Sequence, residues 1–202
     1  MPLDREQVVT EAVALLDADG LEGVTLRRLA SRLGVRAPTL YWHVANKAAL
    51  VTAIAEAILE REFTVLEPPG PQERWQDWLM GLAGRLRRAL LAHPDGARVI
   101  SASQLSLRMA AISELAIRTL TERGLPLRRA RLLVLTVQRF TIGHVLEEQA
   151  PRPEADGFDL PAFTAAHPVL IAGITEYFQA GRTVDDLFRD CLEVIVEGYD
   201  TA

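Results

Sequence analysis

Val8, Val9, Ala12, Val13, Leu15 and Leu16 form one apolar stripe at helical spacing, and Asp19-Gly20 ends the run. Thr25 then caps a short segment, Leu26 to Leu33, with Leu29, Ala30 and Leu33 on one side. Gly34 follows directly, placed to supply a positive φ after a helix. Pro38 suits the first turn of a further helix, which the pattern predicts from Pro38 to about Val44. That helix carries Thr39, Leu40, Tyr41, Trp42 and His43. Two short helices joined through Gly34, the second rich in aromatic and hydroxyl groups, make a helix-turn-helix pattern.

The run EPPGPQ around Pro68–Pro71 is a stiff break. Beyond it, positions 75, 78, 79, 82, 83, 86, 89 and 90 are apolar, which predicts a helix from Trp75 to Leu91 with a wide buried face. His93-Pro94-Asp95-Gly96 ends it. Further helices are predicted from Ser106 to Glu122 and from Pro126 to Gln149. A loop from Ala150 to about Pro161 follows, then helices from Pro168 to Ala180 and from Thr183 to Tyr199. Val184, Leu187, Phe188, Cys191, Val194, Ile195 and Gly198 repeat at three and four, a spacing for helix–helix packing. There are no internal repeats and no convincing strands. The expected fold is all-α.

With 202 residues, 49% of them hydrophobic, the chain can bury a sizeable core. Its longest uncharged stretch, Leu160 to Thr175, is broken by Pro161 and Pro168 and falls short of the roughly 20 apolar residues that span a bilayer. The opening MPLDREQ has no apolar signal region, so a cytoplasmic protein without membrane contact is expected. Cys191 is the sole cysteine, which rules out an internal disulfide or a CxxC metal knuckle; its expected role is a small apolar residue on a helix face.

The net charge is −5, yet between Gly23 and Ala55 there are five basic residues, Arg27, Arg28, Arg32, Arg36 and Lys47, and no acid. Asp4, Glu6, Glu11, Asp17, Asp19 and Glu22 precede this window, and Glu56 and Glu60 follow it. One basic window in an acidic chain fits local contact with a polyanion; the alternative is a solvated arginine-rich face.

The run TLRRLASRLGVRAPTLYWHVANKAAL, Thr25 to Leu50, resembles the DNA-binding domain of the tetracycline-repressor (TetR) family. WQDWL at Trp75–Leu79, LLAHPDGARV at Leu90–Val99 and FTIGHVLEEQ at Phe140–Gln149 resemble the ligand domain of the tetracycline repressors themselves. The resemblance implies a DNA-binding domain over 1–47, a connecting helix over 48–66 and a helical-bundle domain for ligand and dimerisation over 67–202. It implies a homodimer bound to double-stranded operator DNA and released by a small-molecule effector.

At the DNA end the resemblance gives Arg27 to a guanine, whose O6 and N7 match an arginine fork. It gives Thr39, Tyr41, Trp42, His43 and Lys47 to phosphates, sugars or thymine methyls, and Pro38 to the helix start. For Tyr41 and Trp42, packing beneath the recognition helix remains an alternative. Ala37 stands where tetracycline repressors carry a glutamine, so it can touch only a thymine methyl. Arg36 adds attraction for phosphate. The operator should therefore differ from the tetracycline operator.

In the ligand domain, Glu147 matches a family residue that holds the hydration shell of a drug-bound magnesium ion. Phe63, Leu82, Ile100 and Ala116 stand where the family carries polar ligands of drug or metal. Four polar positions turned apolar disfavour magnesium–tetracycline, because each unpaired polar group on the drug would cost about 1–3 kcal/mol. The expected effector is small and largely apolar, of polycyclic antibiotic type. Its expected lining is Phe63, Leu82, Leu86, Ile100, Leu105, Met109, Val137 and Phe140, with His144 and Glu147. A true magnesium–tetracycline repressor is the alternative.

His144, Glu147 and Glu148 share a helix face and could hold a divalent ion; the alternative, one cavity-facing residue among solvated neighbours, is the reading adopted, with neither metal nor cofactor expected. His93 and His167, beside prolines, read as cap or loop residues. An enzyme working on the cavity's contents is a remote reading. No phosphate-binding glycine loop, nucleophile motif or zinc-spaced pair supports it. An architectural DNA protein without a ligand should be basic throughout and would have no use for a large apolar domain.

Overall fold

The computed structural model describes residues 3–103, 106–151 and 159–198, and over these the fold is all-α. Its helices are α1 (Arg5–Gly23), α2 (Leu26–Arg32), α3 (Ala37–Leu40), α4 (Lys47–Glu62), α5 (Trp75–Leu91), α6 (Gly96–Ala102), α7 (Leu107–Glu122), α8 (Leu127–Glu148), α9 (Leu160–Ala166), α10 (Pro168–Gln179) and α11 (Val184–Glu197).

Local capping explains most of the boundaries. Asp4 and Gln7 form a reciprocal capping box on α1, and Thr183 and Asp186 form another on α11. Thr25, Asn46 and Ser106 accept from the third backbone N–H of α2, α4 and α7. On α11 the Thr183 backbone N–H and hydroxyl, with Arg189 alongside, hold the Asp186 carboxyl down at about 2.

Leu15, Leu16, Leu29, Leu40, Leu50, Ile54 and Ile58 bury the three-helix N-terminal unit against α4. On α5 the expected stripe is buried except for Trp75, which is half-buried. α5, α7 and α8 pack on one another, and α11 lies along α5 and α8.

Four expectations change. The third helix is only Ala37–Leu40; after it the chain turns, so that Asn46 can cap α4. α6 was not expected, because its N-cap Asp95 is left-handed (φ 58°) and makes no cap hydrogen bond there. The cap comes instead from a distant residue, Gln149, whose Oε1 accepts from Ala97 N–H. α9 lies where a loop and a gap were expected; Asp159 caps it and Pro161 fills its first turn, where the missing N–H is not needed. On α11, Phe188 of the expected stripe enters the core together with Leu192 and Val196, which the stripe did not include; Leu187, Cys191 and Ile195 are half-buried, and Val184 and Val194 stay exposed.

Gly96 sits where an added Cβ would lie 2.1 Å from the Leu90 carbonyl oxygen, a backbone atom with little room to move. Gly96→Ala is expected to destabilise the fold by about 1–3 kcal/mol. Urea unfolding at fixed protein concentration measures it, and a change below a few tenths would show that α6 shifts freely.

Candidate functional sites

The surface around α3 is fixed from beneath by Leu29, Ala30, Leu40 and Val44, all buried. Of the five cations in the basic window, two are neutralised by α1: Arg28 pairs with Asp19 at 2.6 Å, and Arg32 with Glu11. Arg27, Arg36 and Lys47 are exposed and have no carboxylate partner among the described residues. Pro38 and Thr39 are exposed, Ala37 and His43 half-buried. Tyr41 is 57% and Trp42 90% exposed, which excludes packing beneath the helix for both. Three free cations, a hydroxyl and two aromatic faces are therefore left exposed along α2, α3 and the start of α4. That set suits phosphate contact and base-edge reading.

The second site is a narrow cavity of about 20 Å³ between α5, α7 and α8, which must widen to admit anything larger than a water molecule. Leu79, Leu82, Ala83 and Leu86 line it from α5, Ile112 and Ala116 from α7, and Val134, Val137, Gln138 and Thr141 from α8. No lining residue is charged.

Three of the expected residues, Leu82, Leu86 and Val137, are on this wall. The others lie elsewhere. Phe63 is fully buried at the end of α4, with the Arg85 guanidinium 4.5 Å above its ring. Ile100 is buried on α6 and Met109 half-buried at the start of α7. Phe140 and His144 turn toward α11, with ring centroids 5.7 and 5.2 Å from Phe188. Glu147 is exposed. Leu105 lies outside the described residues. Gln138 and Thr141 went unnoticed in the sequence, although they continue the face of Val134 and Val137 at helical spacing.

The three residues His144, Glu147 and Glu148 go separate ways. Glu148 joins Arg87 through two hydrogen bonds, 2.9 and 2.5 Å, and Arg87 also reaches Asp185 at 2.6 Å. The Glu148 hydrogen bond, more than the one to Asp185, raises the Arg87 pKa further above its ordinary value. His144 Nε2 is buried without a hydrogen-bond partner, 3.9 Å from Glu148. Among the described residues no three His, Cys, Asp or Glu are grouped to hold a metal ion.

A short segment joins the two sites. Gln149, at the end of the cavity-lining α8, donates from Nε2 to the Leu90 and His93 carbonyls. His93 is not a surface cap: it is buried, and its Nδ1 lies 2.6 Å from Asp17 of α1. Asp95 Oδ2 accepts from Leu21 N–H at 2.9 Å, a contact allowed because Gly20 (φ 65°) has no Cβ to block it. That N–H, and Arg98 beside it, lower the Asp95 pKa. The DNA-facing unit is thus hooked to the turn that α8 holds.

Comparisons with known proteins agree with this arrangement. Residues 8–54 match "Bacterial regulatory proteins, tetR family", and residues 67–202 match "Tetracyclin repressor-like, C-terminal domain". The chain is 40% identical to the class E tetracycline repressor protein of Escherichia coli, over 98% of this chain and 90% of that one. It resembles the Streptomyces coelicolor TetR-family protein ActR, solved in complex with (S)-DNPA, at 29% identity and TM-score 0.80 over 98% of both chains. It also resembles BioQ, solved with its double-stranded DNA operator, at 30% identity and TM-score 0.67 over 85% of this chain and 98% of that one. These relatives are regulators, not enzymes. With both parts of the chain matched and a full-length relative at this identity, the protein belongs to the TetR family of ligand-responsive transcriptional repressors.

Proposed function

We propose that this repressor binds its operator as a homodimer in the cytoplasm and is released by a neutral, largely apolar effector held between α5, α7 and α8. The observation that carries the effector class is a cavity lined by eight aliphatic side chains, Gln138 and Thr141, with no charge. A buried ionic or polyhydroxylated edge would go unmatched there, at about 1–3 kcal/mol for each unpaired group. Phe63, Ile100, Met109, Phe140, His144 and Glu147 are not on this wall, so any part they play in effector binding is indirect or needs a partner subunit.

In the DNA unit, residues 1–47, Arg27 reads a guanine. Arg36, Thr39, Tyr41, Trp42, His43 and Lys47 hold backbone or methyl groups, Pro38 shapes the start of α3, and Ala37 touches at most a thymine methyl. The connecting segment over 48–66, helical only as far as the end of α4 at Glu62, joins this unit to the ligand and dimerisation domain over 67–202. Apolar side chains left in solvent support the dimer: Leu127, Leu132 and Leu146 on α8, Val184 and Val194 (76% exposed) on α11, and Val169, Leu170, Ile174 and Phe178 on α10. Two-fold pairing also presents two α3 helices to half-sites about one DNA turn apart, roughly 34–36 Å. Effector binding shifts the population between states with different spacing.

The identity to tetracycline repressors favours a second reading, release by magnesium–tetracycline. Fluorescence anisotropy on DNA from upstream of the gene separates the two. Tight binding that tetracycline leaves intact, with or without magnesium, is the expected result. Magnesium-dependent release would overturn the apolar effector class.

A further inference from the structure

The cavity is uncharged, but its α8 wall has a fixed polarity. Gln138 Nε2 donates to Ser113 Oγ at 2.8 Å, and that hydroxyl donates to the Met109 carbonyl at 2.8 Å. Ser113 has one hydroxyl hydrogen and uses it on Met109, so toward Gln138 it can only accept. The amide orientation follows: its nitrogen faces Ser113, and its Oε1 has no protein partner among the described residues. Thr141, three residues on, is fully buried and donates its own hydrogen to the Val137 carbonyl at 2.8 Å. Its oxygen keeps only lone pairs for any further partner.

The polar part of the wall is therefore two acceptor oxygens on one face of α8, with a single remaining amide N–H. A carboxylate placed here meets no cation. An ammonium meets no carboxylate. A hydroxyl hydrogen meets an oxygen already turned to receive it.

We propose that the cavity selects neutral, mainly apolar effectors that carry a hydroxyl donor, with Gln138 Oε1 as its acceptor and Ser113 as the residue that holds the amide in the accepting orientation. This rests on the effector-cavity reading above and specifies the chemistry of that same site.

The test is a DNA-free titration of the purified full-length protein with three probes, followed by NMR: 2-naphthol, its methyl ether 2-methoxynaphthalene, and 2-naphthoate. The expected order is naphthol tightest, the ether about fivefold weaker, and the anion weakest; fivefold is the ratio given by one net hydrogen bond of ~1 kcal/mol. Gln138→Leu removes the preference for naphthol over the ether while still binding the ether. Ser113→Ala, which frees the amide to flip, narrows the preference, and Ser113→Thr restores it. Thr141→Val provides a second probe of the wall should Gln138→Leu unfold, which the thermal midpoint reports, and it narrows the preference too. Equal affinity for naphthol and ether, a preference that survives Gln138→Leu, strongest binding of the anion, or no binding by any probe would overturn the proposal. Because no DNA is present, such a failure leaves the repressor reading standing. Failure of that reading shows separately, as absence of operator binding.

Discussion

Replacing Glu148 with alanine is expected to cost the fold about 3 kcal/mol and to lower its unfolding midpoint by about 6–12 °C. Arg87 and Glu148 are only 14% and 16% exposed and face each other through two hydrogen bonds, with the guanidinium 5.0 Å from the Phe188 ring. The pair joins α5, α8 and α11 at one point. Removing the carboxylate leaves a buried cation that cannot lose its proton at any ordinary pH. Breaking such a pair from one side generally costs about 3–5 kcal/mol. The lower figure applies because Asp185, 80% exposed, still reaches Arg87. Removing both charges should cost far less: Arg87→Met with Glu148→Leu is expected near wild-type stability, or above it. Thermal unfolding of the single and double variants at one protein concentration measures this, the fixed concentration being needed because dimerisation contributes to the midpoint. A single variant within 1 kcal/mol of wild type would show that solvent reaches Arg87 and that the three helices do not depend on the pair.

The helices that announced themselves were those whose information is local. Thr25, with Leu29 and Ala30 after it, specifies α2 within eight residues, and the 3-4 repeat specifies the buried face of α5. What stayed hidden depends on partners far along the chain. α6 starts on a left-handed Asp95 and is capped by Gln149, fifty-two residues beyond the N–H it satisfies. His93 reads as a loop residue until Asp17, seventy-six residues earlier, is brought to its ring. The basic window was legible as a charge pattern, but its division was not. Only packing of α2 on α1 shows that Glu11 and Asp19 neutralise Arg32 and Arg28 and leave Arg27, Arg36 and Lys47 free. On α8, helical rotation decides the cavity: Val137 and Thr141 line it, whereas Phe140 and His144 are turned to Phe188.

Arg27→Ala is expected to weaken operator binding by between about 30-fold and 10⁴-fold. A bidentate arginine–guanine contact contributes about 1–3 kcal/mol, and a two-fold dimer loses it at both half-sites, giving about 2–6 kcal/mol in all. Arg28→Ala is the internal control: one position away and also half-exposed, it is already paired with Asp19, so its loss removes a surface ion pair that contributes little. Lys47→Ala separates base reading from phosphate attraction. It should weaken all DNA sequences alike and flatten the salt dependence of log K by about two for the dimer, one per half-site. Arg27→Ala should instead narrow the gap between the operator and a variant with its contacted guanine replaced. Anisotropy titrations of the three variants on both fragments, at two salt concentrations, distinguish these effects. If Arg27→Ala and Arg28→Ala weaken the operator equally, with specificity intact, the free guanidinium reads no base. Sequence discrimination would then have to come from the side chains of α3 and the aromatic turn after it.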